Sequence, residues 1–205
     1  MPLEPPTARC QLSAGHRRIV VVGTTGSGKT TLARQLAQRL AIPHVELDAL
    51  HWGPGWTPAP PDLFRQRAAQ ALSGETWVTD GNYHVVRDIV WSRADTVVWL
   101  DYALPVILAQ LFRRTVRRIV TREVLWNENR ERFRDQFLSR DSLFLWVFRT
   151  YRRRRIEYPL LLQQPAHAHL AVIRLPSPPA TRTWLSHLDE SPNTDSASRS
   201  LIPDH

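Results

Sequence analysis

A chain of 205 residues with 42% hydrophobic content and eight tryptophans can bury a sizeable core in one domain, which excludes a disordered protein. A single cysteine, Cys10, excludes both an internal disulfide and a zinc site built on several thiolates. The formal net charge of +8 is uneven: residues 105–158 hold fourteen arginines against six acids, and the rest of the chain balances. Such a segment fits nucleic acid, a membrane surface or a polyphosphate substrate.

Residues 1–16 contain three prolines and no apolar period, and are expected to form a disordered arm. They lack the basic start and apolar stretch of a signal peptide. Apolar runs such as Ile19-Val20-Val21-Val22 are too short to cross a bilayer. The expectation is a cytoplasmic protein without membrane contact. Arg18 to Val22 is a β-branched run ending at Gly23, which predicts a buried parallel strand. Leu32, Leu36 and Leu40, four apart with Ala33 and Ala37 beside them, predict an amphipathic helix over 29–40 that Pro43 stops. His44 to Leu47 reads as a short second strand, and residues 51–61, with two glycines and four prolines, as a loop.

Asp62 to Leu72 is predicted helical, then Thr76 to Thr79 a strand, a short helix near Val85 to Trp91, and a strand over Thr96 to Leu100. Helices are expected over 104–120, 123–138 and 141–158, a last strand over Leu170 to Ile173, and a helix over Ala180 to Leu188. Residues 189–205, rich in Ser, Asp and Pro, are expected to be a disordered tail. Strands alternating with helices predict an α/β domain over 17–188 with a parallel sheet covered on both faces.

Between the first strand and the first helix stands Gly23-Thr24-Thr25-Gly26-Ser27-Gly28-Lys29-Thr30, a full match to the P-loop pattern G-x-x-x-x-G-K-[ST] in its required context. Glycines let the backbone curl so that successive N–H groups point at phosphate oxygens, and the positive end of the following helix favours the same anion. Lys29 is the one lysine among 27 basic residues, at the position where a compact point charge rather than a planar fork is needed. Residues Gly23 to Thr30, with Thr31 next to them, are the expected ATP contacts, and the Thr30 hydroxyl the expected Mg²⁺ ligand.

The metal also needs a carboxylate. Asp80 ends the Thr76 to Thr79 strand, where parallel-sheet proteins place their ligands, and is the candidate to hold Mg²⁺; a turn or cap aspartate is the alternative. Asp48 follows the second strand and can orient an acceptor hydroxyl or act as its base, or again be a turn residue.

Together with Leu47-Asp48, the loop Trp52-Gly53-Pro54-Gly55-Trp56, Asp80-Gly81-Asn82-Tyr83, Leu100-Asp101 and the arginine helix leading to Thr121-Arg122-Glu123 and Leu125-Trp126-Asn127, the P-loop resembles the nucleoside-monophosphate-kinase-like P-loop proteins described as DNA topology modulation proteins, from about Arg18 to Leu188. The resemblance implies a three-layer α/β P-loop fold, a five-stranded parallel sheet of order 2-3-1-4-5, as in adenylate and shikimate kinases, and an arginine-bearing lid over about 113–140. The pattern departs from adenylate kinases after Asp80-Gly81: Asn82, Tyr83 and His84 stand where a phosphate-binding arginine is expected, and the first arginine is Arg87.

Arg114, Arg118 and Arg122 share one helical face and are the candidate lid residues, against a solvated surface paired with Glu123, Glu128 and Glu131. Arg152 to Arg155 wrap around a helix and cannot all face one site, which points to surface charge or a weak nucleic-acid contact. Trp52 and Trp56 can stack on an acceptor base or sugar, or pack their own loop; Asn82, Tyr83 and Arg87 are further candidates on the substrate side. The expected activity is transfer of the ATP γ-phosphate to a small acceptor, a nucleotide or nucleoside, with Lys29, Asp48, Asp80 and the three lid arginines as catalytic groups. A nucleic-acid-associated ATPase or nucleotide-responsive switch protein is the alternative.

Overall fold

The structure, a computed structural model, describes residues 16–121 and 143–190. Residues 1–15 of the expected arm, the part of the expected tail beyond 190, the 123–138 helix, Arg122 and most of the lid segment lie outside the described residues. In chain order the elements are β1 (Arg18–Gly23), α1 (Lys29–Leu40), β2 (His44–Glu46), α2 (Leu47–His51), α3 (Pro61–Ala71), β3 (Trp77–Asp80), α4 (Arg87–Arg93), β4 (Thr96–Leu100), α5 (Leu104–Thr121), α6 (Leu143–Leu162), β5 (Ala171–Leu175) and α7 (Pro178–Glu190). The strands form one parallel sheet in the order β2-β3-β1-β4-β5, as the resemblance implies.

Alternation along each strand divides the core in two. Ile19, Val21, Val78, Val98, Leu100, Ile173 and Leu175 face one side and pack against α1, α5 and α7. Val20, Val22, Trp77, Val97 and Trp99 face the other and meet Phe64 and Ala68 of α3 and Val90 and Trp91 of α4. Each fully buried side chain of this size contributes about 1.5–3 kcal/mol, and a strand apolar on both faces is stable only between two helical layers. Among the described residues no helix is long and apolar enough to cross a membrane.

Three local outcomes differ from the sequence expectation. β2 ends at Glu46, and Leu47 turns inward to begin α2, so Asp48 lies in the first turn of a short helix rather than on a strand end. The loop after it holds a 3-10 turn over Pro54–Trp56 that closes on itself: the Gly53 N–H donates to the Thr57 carbonyl (2.8 Å) and the Ala59 N–H to the His51 carbonyl (2.7 Å). β5 runs to Leu175, because pairing with β4 continues to Leu100.

α6 has a course that its own sequence does not announce. Val147 and Tyr151 belong to the first core layer, whereas Tyr158 belongs to the second. The helix therefore crosses from one face of the sheet to the other. Its midpoint is tied down by Asp101, just past β4 and 2% exposed at its side chain: Arg155 Nε reaches Asp101 Oδ1 at 2.9 Å and Arg174 Nε donates to Oδ2 at 2.9 Å. Arg155 also donates to the Tyr151 hydroxyl (2.8 Å). Breaking a buried pair by removing one partner typically costs about 3–5 kcal/mol, less where the cations reach solvent as these two do. Asp101→Ala should lower stability by about 2 kcal/mol in urea denaturation with an unchanged m-value; an unchanged midpoint would contradict the anchoring role.

Candidate active site

The P-loop leaves β1 at Gly23 and returns as α1 at Lys29. Gly26 (φ 87°) and Gly28 (φ 90°) occupy the left-handed region that side chains disfavour, which gives the loop its curl. Inside it the Ser27 N–H donates to the Thr24 carbonyl (3.0 Å). α1 starts with no side-chain cap, so its first amides present their N–H groups to the loop's concavity. The Ser27 hydroxyl is buried there without a hydrogen-bond partner, and Lys29 Nζ makes a long bond, 3.4 Å, to the Thr24 carbonyl. Uncapped amides, an orphaned hydroxyl and a loosely tethered ammonium fit an anion of several oxygens.

The loop is held by a side chain. The Asn82 amide grips the Gly23 peptide from both ends: the Gly23 N–H donates to Asn82 Oδ1 (3.3 Å) and Asn82 Nδ2 donates to the Gly23 carbonyl (2.5 Å). The hydroxyl of Tyr158, from α6, donates to the same Oδ1 (2.7 Å). Asn82, expected on the substrate side, thus has its carboxamide engaged by the P-loop and α6. Arg87 is similarly engaged, 3.0 Å from Glu157 and above the Trp91 ring.

Thr30 and Asp80 meet as the motif anticipates: Thr30 Oγ1 donates to Asp80 Oδ2 at 2.6 Å. The other carboxylate oxygen lies 3.0 Å from His44 Nε2. Among the described residues no cluster of three or more His, Cys, Asp or Glu could hold a metal alone. The pair suits Mg²⁺, which keeps several waters and binds protein through one or two groups plus phosphates.

Asp48 sits near enough to Lys29 and Asp80 for their charges to act on it. Burial pushes its carboxyl up, while a 2.6 Å bond from the Tyr83 hydroxyl and the charge of Lys29 pull it back. Burial and the Asp48 charge in turn drive the Tyr83 phenol strongly up, keeping it a donor, and Trp52 hydrogen-bonds to Tyr83. His51 lies against Trp52, Phe64 and Tyr83 at 4.7, 4.8 and 4.6 Å between ring centroids, and Trp56 meets Trp52 edge-on at 5.8 Å. The aromatic loop therefore packs on itself and supports Asp48 through Tyr83.

Two arginines act on Lys29. Burial first, then the charges of Arg154 and Arg114, bring the Lys29 ammonium down to about 8, against the opposing pull of Asp80 and Asp48. Arg114 belongs to the expected lid face; Arg118, one turn on, is half-buried. Arg154 is the residue that sequence reasoning missed. Burial lowers its own guanidinium, and its Nη1 is buried without a hydrogen-bond partner. Four consecutive arginines do point four ways, but only Arg152 is left as plain surface: Arg153 pairs with Glu157 (3.7 Å), Arg155 with Asp101, and Arg154 turns to the P-loop lysine.

The lowered Lys29 value has a sign that can be measured. Between pH 8 and about 10.5 the unfolded chain keeps a proton that the native chain has released, so stability from this group rises with pH in that window. Urea titrations from pH 8 to 10 should show a steeper rise for the wild type than for Lys29→Met; equal slopes would contradict the lowered ammonium.

A protein-family profile described as "ATPase family associated with various cellular activities (AAA)" matches residues 19–101, which run from β1 to the end of β4. The chain is similar to a shikimate kinase of Synechococcus elongatus, 29% identical over 136 residues that cover 56% of this chain and 72% of that one. Two solved structures share the fold: a shikimate kinase from Bacteroides thetaiotaomicron (TM-score 0.51, 16% identity, 85% of this chain and 97% of that one) and one from Acinetobacter baumannii in complex with shikimate (TM-score 0.50, 17% identity, 85% and 92%). The chain thus carries a full P-loop motif on an all-parallel sheet of order 2-3-1-4-5, has the fold of these solved kinases, and is similar in sequence to shikimate kinase.

Proposed function

We propose that this protein is an ATP-dependent kinase that moves the γ-phosphate of ATP to a hydroxyl of a small acceptor held against Asp48. The observation that carries the proposal is the placement of the Asp48 carboxylate, tethered by Tyr83, within electrostatic reach of Lys29 and Asp80 at the mouth of an uncapped P-loop. A loop that only held nucleotide would have no use for a second, acceptor-side carboxylate there.

In this reading the amides from Gly26 to Thr31 and the Ser27 hydroxyl bind the phosphates, and Lys29 bridges the β and γ groups. Thr30 and Asp80 hold Mg²⁺, which supplies neutralisation of charge on the phosphate oxygens. Arg154 and Arg114 add positive charge beside Lys29, where negative charge spreads in phosphoryl transfer. Asp48 orients the acceptor hydroxyl and takes its proton as the new P–O bond forms and ADP leaves. The acceptor class is the finer part of the proposal. The overall resemblance to nucleoside-monophosphate-kinase-like proteins supports a nucleotide or nucleoside, against the departure at Asn82 to His84; the shikimate-kinase relatives support a hydroxylated metabolite.

ADP formation should be measured across nucleotides, nucleosides, hydroxylated metabolites and DNA. We expect turnover that depends on one small acceptor, is lost in Lys29→Ala and falls about 10²–10⁴-fold in Asp48→Asn with ATP affinity retained. Turnover raised by DNA alone would overturn the proposal and favour the nucleic-acid-associated ATPase.

A further inference from the structure

His44 plays no part in the reading above, yet it is the residue that shares Asp80 with Thr30. The parallel register pairs His44 with Val78 and Glu46 with Asp80. Alternation then puts His44, Glu46, Val78 and Asp80 on one face of the sheet, the face that packs on α1. Glu46 and Asp80 are thus two carboxylates directly opposite one another, an arrangement that is destabilising when nothing separates them.

The His44 ring fills that space. Its Nε2 lies 3.0 Å from Asp80 Oδ1 and its Nδ1 3.8 Å from Glu46 Oε1, with the side chain 12% exposed. Glu46 is drawn the other way by Arg34 Nη2 at 3.0 Å. Arg34 stands on α1 one turn after Thr30, so the contacts close a ring: Thr30, Asp80, His44, Glu46, Arg34 and back along the helix. Both oxygens of the Asp80 carboxylate are held, Oδ1 by His44 and Oδ2 by Thr30, which leaves it no freedom to rotate.

We propose that His44 is a positioning residue for the metal site: it holds Asp80 by one oxygen, and away from Glu46, so that the other oxygen stays at the Thr30 hydroxyl where a divalent cation would be bound. The inference rests on the kinase reading only through the assignment of Thr30 and Asp80 to the metal. A hydrogen-bonding partner of this kind typically alters metal affinity 10–100-fold when removed. Gln can place a side-chain N–H near where Nε2 stands and should substitute in part; Ala cannot.

Mn²⁺ binding in the presence of ATP, followed by paramagnetic resonance, reads the site without turnover. The full chain should be compared with His44→Ala, His44→Gln and Asp80→Ala, each also melted thermally. We expect His44→Ala to weaken Mn²⁺ binding about tenfold, Asp80→Ala at least as much, and His44→Gln to recover most of the loss. If His44→Ala lowers the melting temperature but binds Mn²⁺ as the wild type does, while Asp80→Ala does not, the positioning role is overturned and the kinase reading stands. If the wild-type protein and Asp80→Ala bind Mn²⁺ equally, the metal assignment of Asp80 fails and the inference falls with it.

Discussion

A phosphate-binding loop has to hold a backbone curve that few sequences tolerate, and to hold it before any phosphate arrives. Here the curve starts at Gly23, whose peptide is gripped at both its N–H and its carbonyl by the Asn82 amide, and it ends at the uncapped start of α1. Asn82 can do this because β3 lies beside β1 in the sheet, so the residues after Asp80 emerge next to the loop. The same adjacency sets Asp80 against Thr30. One strand pairing therefore fixes both the shape of the cradle and the position of its carboxylate.

Around that cradle charge is arranged in opposition. Lys29 has Asp80 and Asp48 on one account and Arg154 and Arg114 on the other, and burial tips the balance against the ammonium. A polyphosphate entering the loop would reverse that balance, since its charge favours every cation that now repels another. α6 supplies one of those cations as it crosses between the two faces of the sheet: Tyr151 packs on one side, Tyr158 on the other, and Arg154 falls between them. The Asp101 bridges to Arg155 and Arg174 keep that crossing in place.

Much of this was legible in the residues. The P-loop needs only eight positions and their flanks, and a β-branched run before it with leucines four apart after it read directly as β1 and α1. Asp80 was legible because an apolar run ends on it. Asp48 was singled out as the residue after a strand; that strand stops at Glu46, and a helical turn places Asp48 instead. Asn82, His44 and Arg154 were not assigned these contacts, because each depends on a partner far along the chain: 59 residues to Gly23, 36 to Asp80, and the Lys29 neighbourhood for Arg154. Local periodicity carries no information on such contacts. The four arginines at 152–155 illustrate the limit, since helical geometry showed that they must diverge but not that Arg153 and Arg155 would find separate acids while Arg154 came near Lys29.

In the proposed function the loop from Gly23 to Thr30 binds the phosphates of ATP through Lys29. Calorimetric titration of the wild type and Lys29→Ala with Mg·ATP, and with AMP, tests it most directly. We expect one Mg·ATP per chain, weakened about 10–100-fold in Lys29→Ala as loss of a charge-assisted bond would require, and much weaker binding of AMP to the same loop. Equal affinity of wild type and Lys29→Ala for Mg·ATP would contradict it.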